Sequence, residues 1–140
     1  MQNSLLFPYF FVVLLSTSCA QAPKNDINSP ETVDFTAEIV VDDLNNAWGM
    51  VFLHNEAILI SEKSGKLLLY QSGTTSEIKN VPEVYNRGQG GLMDIELHPD
   101  YDTNGWIYFS YASPKGEGKG GNTAIMRAKL SNNKLVNIEK

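Results

Sequence analysis

The feature that most restricts what this chain can fold into is a strand–turn–strand pattern that occurs twice. The run Gly49–His54 aligns with Met93–His98, displaced by 44 positions, and Ala57–Ser61 aligns with Trp106–Ser110, displaced by 49. The five extra positions fall in the turn Asp100–Gly105. A repeat of about 40–50 residues that contains four short strands is typical of a blade of a β-propeller.

Each copy offers candidates for four strands, and no stretch shows a sustained helical period, which favours an all-β fold. The predicted strands of the first copy are Trp48–Leu53, Ala57–Glu62, Lys66–Tyr70 and a short outer strand Glu77–Val81, which follows a loop at Gln71–Glu77. Those of the second copy are Leu92–Leu97, Trp106–Tyr111, Thr123–Leu130 and Lys134–Ile138. The first strand is almost wholly apolar, so we expect it to be buried on both faces.

A single blade exposes broad apolar faces, so blades must stack against each other. Propellers have about four to eight blades, and two blades cannot close a ring. We therefore expect residues 34–140 to be the N-terminal part of a longer propeller with antiparallel four-stranded blades, and the chain by itself to aggregate or fold poorly. A further strand is predicted at Phe35–Val41, with the hypothesis that it completes the last blade of the ring.

The charge of the chain excludes one class of partner. The 140 residues carry a net charge of −5, and the 11 Lys and Arg residues are scattered rather than clustered. Nucleic-acid binding depends on neutralising phosphates with such residues. No nucleic-acid partner is therefore expected.

The N-terminus reads as an export signal. Leu5–Leu15 is an apolar run of signal-peptide length, too short to span a bilayer, and small residues follow it up to Ala20. The only cysteine, Cys19, lies where such a segment is cut, in a sequence that resembles a degenerate bacterial lipobox. We predict a signal peptide at residues 1–19, lipidation of Cys19 and a flexible linker at residues 20–33. Ordinary cleavage after Ala20 is the alternative, and in either case the mature chain is exported.

A glycine-rich turn with one glutamine, Gly88-Gln89-Gly90-Gly91, precedes the first strand of the second copy. The carboxamide of Gln89 offers both a hydrogen-bond donor and an acceptor, and the flanking glycines let the backbone approach a ligand closely. From these residues alone, Gln89 is either a ligand-binding residue or a plain turn residue. Nothing similar in sequence precedes Trp48, so this turn distinguishes the two copies.

Two acidic residues, Asp94 and Glu96, follow the glycine turn on one face of a predicted strand. Such a pair could perform acid–base chemistry, but inner propeller strands also use acidic residues to line a polar channel. We interpret Glu96 as structural and Asp94 as a candidate support for the Gln89 turn.

The two histidines and the second turn are interpreted as structural. His54 and His98 occupy the same place in the aligned repeat, directly after an inner strand. The run Asp100–Gly105 matches the start of an EF-hand loop, but Tyr111 stands where the loop needs its bidentate Glu. A turn with Gly105 at positive φ is expected instead, and no metal site is predicted in this chain.

Several of these runs together resemble the glucose/sorbosone dehydrogenase family, whose members are exported bacterial six-bladed propellers that oxidise sugars with pyrroloquinoline quinone (PQQ). The resemblance is carried by Trp48–Leu53, Ile60–Leu67, Gly88–Tyr101, Asn104–Tyr111 and Asn122–Leu130.

The resemblance implies an aldose substrate, PQQ and calcium as cofactors, and a cleft-facing Gln89 that contacts substrate or cofactor, supported by Gly88, Gly90 and Gly91. It also implies that the histidine base, the Arg–Asn–Lys clamp for PQQ and the calcium ligands belong to later blades. No catalytic residue is therefore expected in this chain, which would be an incomplete enzyme. The alternative is a propeller that serves as a surface binding module, with membrane contact only through the N-terminal lipid.

Overall fold

The computed structural model describes residues 33–140, so the predicted signal peptide and Cys19 lie outside the described residues. The chain divides into two units, Met1–Thr36 and Ala37–Lys140. Of the first unit, the described residues 33–36 have no regular secondary structure. No helix within residues 33–140 is long and apolar enough to cross a membrane.

The second unit consists of two four-stranded antiparallel sheets, each with its strands in chain order. The first sheet contains β1 (Ala47–Phe52), β2 (Ile58–Glu62), β3 (Leu67–Gln71) and β4 (Thr74–Glu77), with a short 3-10 turn at His54–Glu56. The second contains β5 (Leu92–Leu97), β6 (Ile107–Ser113), β7 (Asn122–Ser131) and β8 (Lys134–Glu139), with a one-turn helix α1 (Tyr101–Asn104) between β5 and β6. The predicted all-β architecture of antiparallel four-stranded blades is confirmed.

The two sheets repeat each other in detail. In the first sheet the register shifts just before Met50, which pairs with Ile60, and in the second it shifts just before Ile95, which pairs with Phe109. Equivalent residues of the inner strands β1 and β5 are therefore 45 positions apart, and those of β2 and β6 are 49 positions apart. The predicted displacement of 44 for the inner strand is therefore wrong by one residue.

The one-residue correction changes the equivalence of the two histidines. The N–H of Leu53 donates to the Ala57 carbonyl at 2.8 Å, and the N–H of His98 donates to the Trp106 carbonyl at 3.0 Å. His98 is thus the counterpart of Leu53, whereas His54 begins the 3-10 turn. The alignment missed this because β1 is apolar on both faces, so its alternation carries no register signal.

Two predicted strand positions are wrong. Phe35–Val41 forms no strand and is largely exposed. The outer strand of the first sheet is Thr74–Glu77 rather than Glu77–Val81, because Ser72 and Gly73 both adopt positive φ and form a two-residue hairpin turn.

The core lies between the two sheets, where β1 and β2 contact β5. The back face of the first sheet is the face that packs against the second sheet. The front face of the second sheet is the face that packs against the first, and its back face is turned away from it. The back face of the first sheet contributes Leu59, Leu67 and Leu69, which pack against residues of the second sheet such as Ile107 and Phe109. Full burial of each such side chain stabilises the fold by about 1.5–3 kcal/mol.

The front face of the first sheet is open. Phe52 is 66% exposed and Met50 is 60% exposed, so the expectation that β1 is buried on both faces is wrong. These side chains border an apolar groove of 330 Å³, whose other lining residues are Val40, Val41, Leu44, Ile58 and Ile60. The front face of this strand is thus apolar, yet no neighbouring sheet covers it within residues 33–140.

The connection from β4 to β5 crosses from the outer edge of one sheet to the inner edge of the other. Lys79 forms an isolated bridge with Lys134, the first residue of β8, and Ile78 is buried in the core. Further along, the N–H of Tyr85 donates to the Ala112 carbonyl at 2.7 Å. The segment ends at Gly91 and so carries the glycine-rich turn to the junction of the two inner strands.

Candidate functional site

The glycine-rich turn is anchored at both sheets. The N–H of Ala112 donates to the Gly91 carbonyl at 2.8 Å within the second sheet, and the N–H of Leu92 donates to the Lys63 carbonyl of the first sheet at 3.1 Å. The N–H of Gly90 closes the turn on the Arg87 carbonyl at 2.8 Å. The turn is therefore held at its base, while Gln89 is exposed at its tip.

Two of the glycines are required by the geometry of the turn. A Cβ added to Gly91 would lie 2.2 Å from the Lys63 carbonyl oxygen, so only glycine fits between the two sheets at this point. Gly88 has φ +54 with open space around the position of its missing Cβ. Glycine is favoured at position 88 by the backbone conformation and not by lack of space, because few other residue types adopt this φ readily.

We call the segment Asp43–Asn46 before β1 the first turn, because it shares two features with the glycine-rich turn, although Asn46 has φ 60 where Gly91 has φ 155. Asp43 has φ 53, close to that of Gly88. The N–H of Lys63 donates to the Asn46 carbonyl at 3.0 Å, as that of Ala112 does to Gly91. Sequence reading missed this turn because Asp and Asn tolerate the left-handed region without a glycine signature.

The two turns differ in the side chain at the tip. By the displacement of 45, Leu44 stands where the second turn has Gln89, and Leu44 lines the apolar groove on the front face. The polar residue therefore belongs to one turn alone among the two that the structure describes. This placement is compatible with the predicted ligand role of Gln89, which stays a prediction.

A buried carboxylate beneath the first turn was not anticipated. Glu62 is 3% exposed, and its Oε1 accepts a hydrogen bond from the N–H of Asn45 at 2.6 Å. Its Oε2 is buried without a hydrogen-bond partner within residues 33–140. The only sequence signal was a charged residue at the end of the apolar run Ile58–Glu62.

Asp94 and Glu96 share one face of β5, as predicted, and it is the back face of the second sheet. Together with Tyr108, Ser110 and Ile125 they line a pocket of 150 Å³. Asp94 Oδ1 accepts from the N–H of Ile95 at 3.0 Å. Within residues 33–140 this carboxylate makes no hydrogen bond to the Gln89 turn, so its predicted support of that turn would have to be indirect.

The turn after β5 is built around His98. Its Nδ1 accepts from the N–H of Asp100 at 2.9 Å and lies 2.8 Å from Asn104 Nδ2. Gly105, at φ 68, ends the short helix by donating its N–H to the Tyr101 carbonyl at 2.7 Å. The predicted structural role of His98 and the positive φ of Gly105 are confirmed.

The other histidine joins the two repeats at the surface. The ring of His54 contacts the carboxylate of Asp102 through Nε2, and both side chains are exposed. The ring also packs 5.8 Å from that of Tyr101. Burial, and after it the charge of Asp102, raises the pKa of Tyr101 above its ordinary value.

The outer part of the back face holds a cluster of cations around an indole ring. Arg127 lies 4.4 Å and Lys129 lies 4.8 Å from the centre of the Trp106 ring. Arg127 also forms an ion pair with Glu139 at 2.6 Å. Hydrogen bonding to Glu139, and after it to Tyr108, raises the pKa of Arg127. Within residues 33–140, no group of three or more His, Cys, Asp or Glu side chains is placed to hold a metal ion.

The sequence and the fold match one family. The model of the Glucose / Sorbosone dehydrogenase family matches residues 44–140. The aldose sugar dehydrogenase YliI of Escherichia coli strain K12 is 36% identical over 106 residues, which are 74% of this chain and 28% of that protein. Quinoprotein glucose dehydrogenase B of Acinetobacter calcoaceticus is 30% identical over 115 residues, which are 76% of this chain and 24% of that protein.

Solved structures agree with these relatives. The soluble aldose sugar dehydrogenase of Escherichia coli, in its apo form, superposes with a TM-score of 0.67 at 34% identity over 73% of this chain and 30% of that chain. The PQQ-bound aldose sugar dehydrogenase of Streptomyces coelicolor superposes with a TM-score of 0.60 at 25% identity, over 73% and 31%. The chain thus spans about a quarter to a third of the length of these four proteins. The two sheets are propeller blades, and the chain belongs to the glucose/sorbosone dehydrogenase family.

Proposed function

We propose that this chain forms the first two blades of an exported, PQQ-dependent aldose sugar dehydrogenase that oxidises a sugar at its anomeric carbon to a lactone. The family membership supports the reaction class, and the names of two relatives, a quinoprotein and a PQQ-bound enzyme, support the cofactor. By itself the chain is inactive, because the histidine base expected in this family would come from a later blade.

The observation that carries the proposal is the position of Gln89. Its carboxamide is exposed at the tip of a turn that is fixed at its base to both inner strands. Because the base of the turn is fixed, the backbone of Gln89 is limited to a small region, which favours orienting a sugar hydroxyl or a quinone carbonyl. Its role is to bind and orient, since a carboxamide does not exchange protons near neutral pH.

The described residues fit a peripheral part of a cofactor site rather than a complete one. Gln89 and the glycine backbone beside it offer hydrogen bonds to a polar ligand, but no metal-binding cluster lies within residues 33–140. When bound, PQQ would accept the hydride and so supply the redox chemistry. The calcium ligands and the cationic clamp would come from later blades.

The second candidate function is a non-catalytic propeller that binds a partner at the cell surface. A direct test uses the product of the complete gene, loaded with PQQ and calcium, and measures sugar-dependent reduction of a dye across common aldoses. The proposed function predicts dye reduction and a lactone product. Absence of activity with every aldose, in protein whose PQQ loading is verified by absorbance, would favour the binding module.

Export and lipidation rest on the N-terminal sequence. We propose that Cys19 becomes the lipidated first residue, which would leave the protein anchored to a membrane facing the periplasm. Cells grown with labelled palmitate should label the wild-type protein and not the Cys19→Ser variant. An unlabelled wild-type protein that begins at Gln21 would show ordinary secretion into the periplasm instead.

A further inference from the structure

The first turn and the glycine-rich turn are closed in different ways. In the glycine-rich turn the N–H of Gly90 donates to the Arg87 carbonyl at 2.8 Å, so this turn closes on its own backbone. By the displacement of 45, Asn45 is the counterpart of Gly90. Its N–H donates instead to Glu62 Oε1, at 2.6 Å. The first turn is therefore held by a side chain from the end of β2.

The packing of a blade does not require a carboxylate at this place. By the displacement of 49, the counterpart of Glu62 in the second sheet is Tyr111, and both side chains are 3% exposed. Their strand partners are equivalent as well, since Ala47 pairs with Glu62 and Leu92 pairs with Tyr111. The second sheet thus fills the same buried position with a neutral ring. The carboxylate of Glu62 must have a reason other than the blade itself.

The second carboxylate oxygen shows that this residue is not optimised for stability. Glu62 Oε2 is buried without a hydrogen-bond partner within residues 33–140, and such a group destabilises a fold. The main chain of Glu62 is already fixed in its hairpin, because its N–H donates to the Lys66 carbonyl and its carbonyl accepts from the Gly65 N–H, both at 2.9 Å. The carboxylate therefore acts on the turn above it and not on its own strand.

Lys63, the next residue, lies between the two turns and is bonded to both. Its N–H donates to the Asn46 carbonyl at 3.0 Å, and its carbonyl accepts from the N–H of Leu92 at 3.1 Å. Two consecutive residues of the first turn are thus clamped on two consecutive residues of the hairpin. If Asn45 is released, the neighbouring bond to Lys63 loosens, and with it the carbonyl that supports the base of the glycine-rich turn.

We propose that Glu62 is a positioning residue for Gln89. Its carboxylate holds the first turn on Lys63, and Lys63 in turn fixes the base of the turn that carries Gln89. The inference rests on the proposed function, in which Gln89 binds and orients the ligand. It explains why a buried position that accepts tyrosine in one blade holds a carboxylate with an unpaired oxygen in the other.

The contact is tested by amide hydrogen exchange in the product of the complete gene. In Glu62→Met, exchange of the segment 87–92 should become about tenfold faster, because the base of the turn opens more often. The melting temperature should not fall, since Asn45 is exposed and water can bind its released N–H. Glu62→Gln retains an acceptor oxygen, so its exchange should stay within about threefold of wild type.

Kinetics of the complete enzyme test the consequence for Gln89. Glu62→Met should lower kcat/KM about tenfold, and the loss should fall on the same constant, kcat or KM, as that of Gln89→Ala. In a Gln89→Ala background, Glu62→Met should lower kcat/KM no further, because no side chain is left to position. The matched control is Leu59→Ala, a buried residue of the same strand. It should lower the melting temperature but leave kcat/KM and the exchange of segment 87–92 unchanged.

Three outcomes would overturn the inference: unchanged exchange in Glu62→Met, additive losses of kcat/KM in the double variant, or equal effects of Leu59→Ala. If Glu62→Met fails to fold, Glu62→Asp takes its place with the same expected losses, because its carboxylate is one methylene short of Asn45. The exchange measurement needs no activity, so it tests the contact even in a protein that oxidises no sugar. Dye reduction with unchanged exchange in Glu62→Met would leave the proposed function standing without this role for Glu62.

Discussion

At the scale of single residues, Gln89 is the side chain on which the proposed function depends. Replacing it with alanine or leucine removes both of its hydrogen-bonding groups, and leucine copies the residue at the tip of the first turn. We expect kcat/KM of the complete enzyme for its sugar to fall about tenfold or more, with the melting temperature unchanged, because the side chain is exposed.

The matched control for this prediction is Gln71→Ala. Gln71 is also an exposed glutamine, but it ends β3 far along the chain from the turn. It should leave kcat/KM unchanged. Equal activity of the Gln89 and Gln71 variants would show that the turn takes no part in binding.

The glycines of the same turn make a prediction about stability. Gly91→Ala places a methyl group on the Lys63 carbonyl and should cost about 3 kcal/mol in the free energy of unfolding, since backbone must move to admit it. Gly88→Asp should cost less than about 1 kcal/mol, because Asp43 already adopts the same φ in the first turn. Urea denaturation of the complete protein measures both, and equal costs would contradict this account of the turn.

The role of a residue can be predicted from sequence when its residue type alone indicates the backbone conformation. It cannot be predicted when its burial or conformation depends on the surrounding fold. The glycine-rich turn is predictable because glycine is typical of positions with positive φ and of places where the backbone approaches a neighbour closely. The related segment Asp43–Asn46 has no such signal, because its positive φ values occur at Asp and Asn, which are also common in ordinary loops. Glu62 was missed because burial of a carboxylate depends on the turn that folds over it.

At the scale of secondary-structure elements, the order and number of strands followed from alternation and turn residues, but the register did not. β1 is apolar on both faces, so its pairing is set by the bulge before Met50 rather than by pattern. The outer strand β4 is polar and short, and the Ser72–Gly73 turn that precedes it lies in a run whose composition predicts a loop. Edge elements of this kind depend on turn geometry more than on hydrophobicity.

The turn between β5 and β6 provides a prediction at this scale. His98→Ala removes an acceptor that binds the Asp100 N–H and lies against the Asn104 amide. Its loss should destabilise the protein by about 1–2 kcal/mol, because His98 is only partly exposed and its partners are left unpaired.

His54→Ala is the comparison for that variant. It breaks an exposed pair with Asp102 and should cost less than about 1 kcal/mol. Both values can be read from urea denaturation curves of the complete protein. A larger loss from His54→Ala than from His98→Ala would mean that the contact between repeats, and not the turn, stabilises this end of the sheets.

At the scale of the whole molecule, the two blades bury one face each and leave the other face open. The internal interface is heterologous, since the back of one sheet meets the front of the next, and such contacts generate rings when they repeat with a closing rotation. The repeat in the sequence sufficed to predict blades and the need for stacking. The polarity of the open back face could not be predicted, because it depends on which alternate residues of β5 and β6 the register turns outward.

The open faces determine how the chain behaves alone. When the 140 residues are produced without further blades, Met50 and Phe52 remain exposed beside an apolar groove of 330 Å³, and Ile125 remains exposed on the back face of the second sheet. We expect aggregation or a poorly cooperative melt, because exposed apolar patches of this kind drive association.

Replacing both Met50 and Phe52 by lysine should increase the soluble fraction, whereas replacing the exposed Thr74 and Thr75 of the outer strand by lysine should not. Light scattering and calorimetry would measure both effects. A soluble wild-type monomer with a single cooperative transition would mean that two blades are sufficient for folding, and that the apolar front face is not a surface prepared for a neighbour.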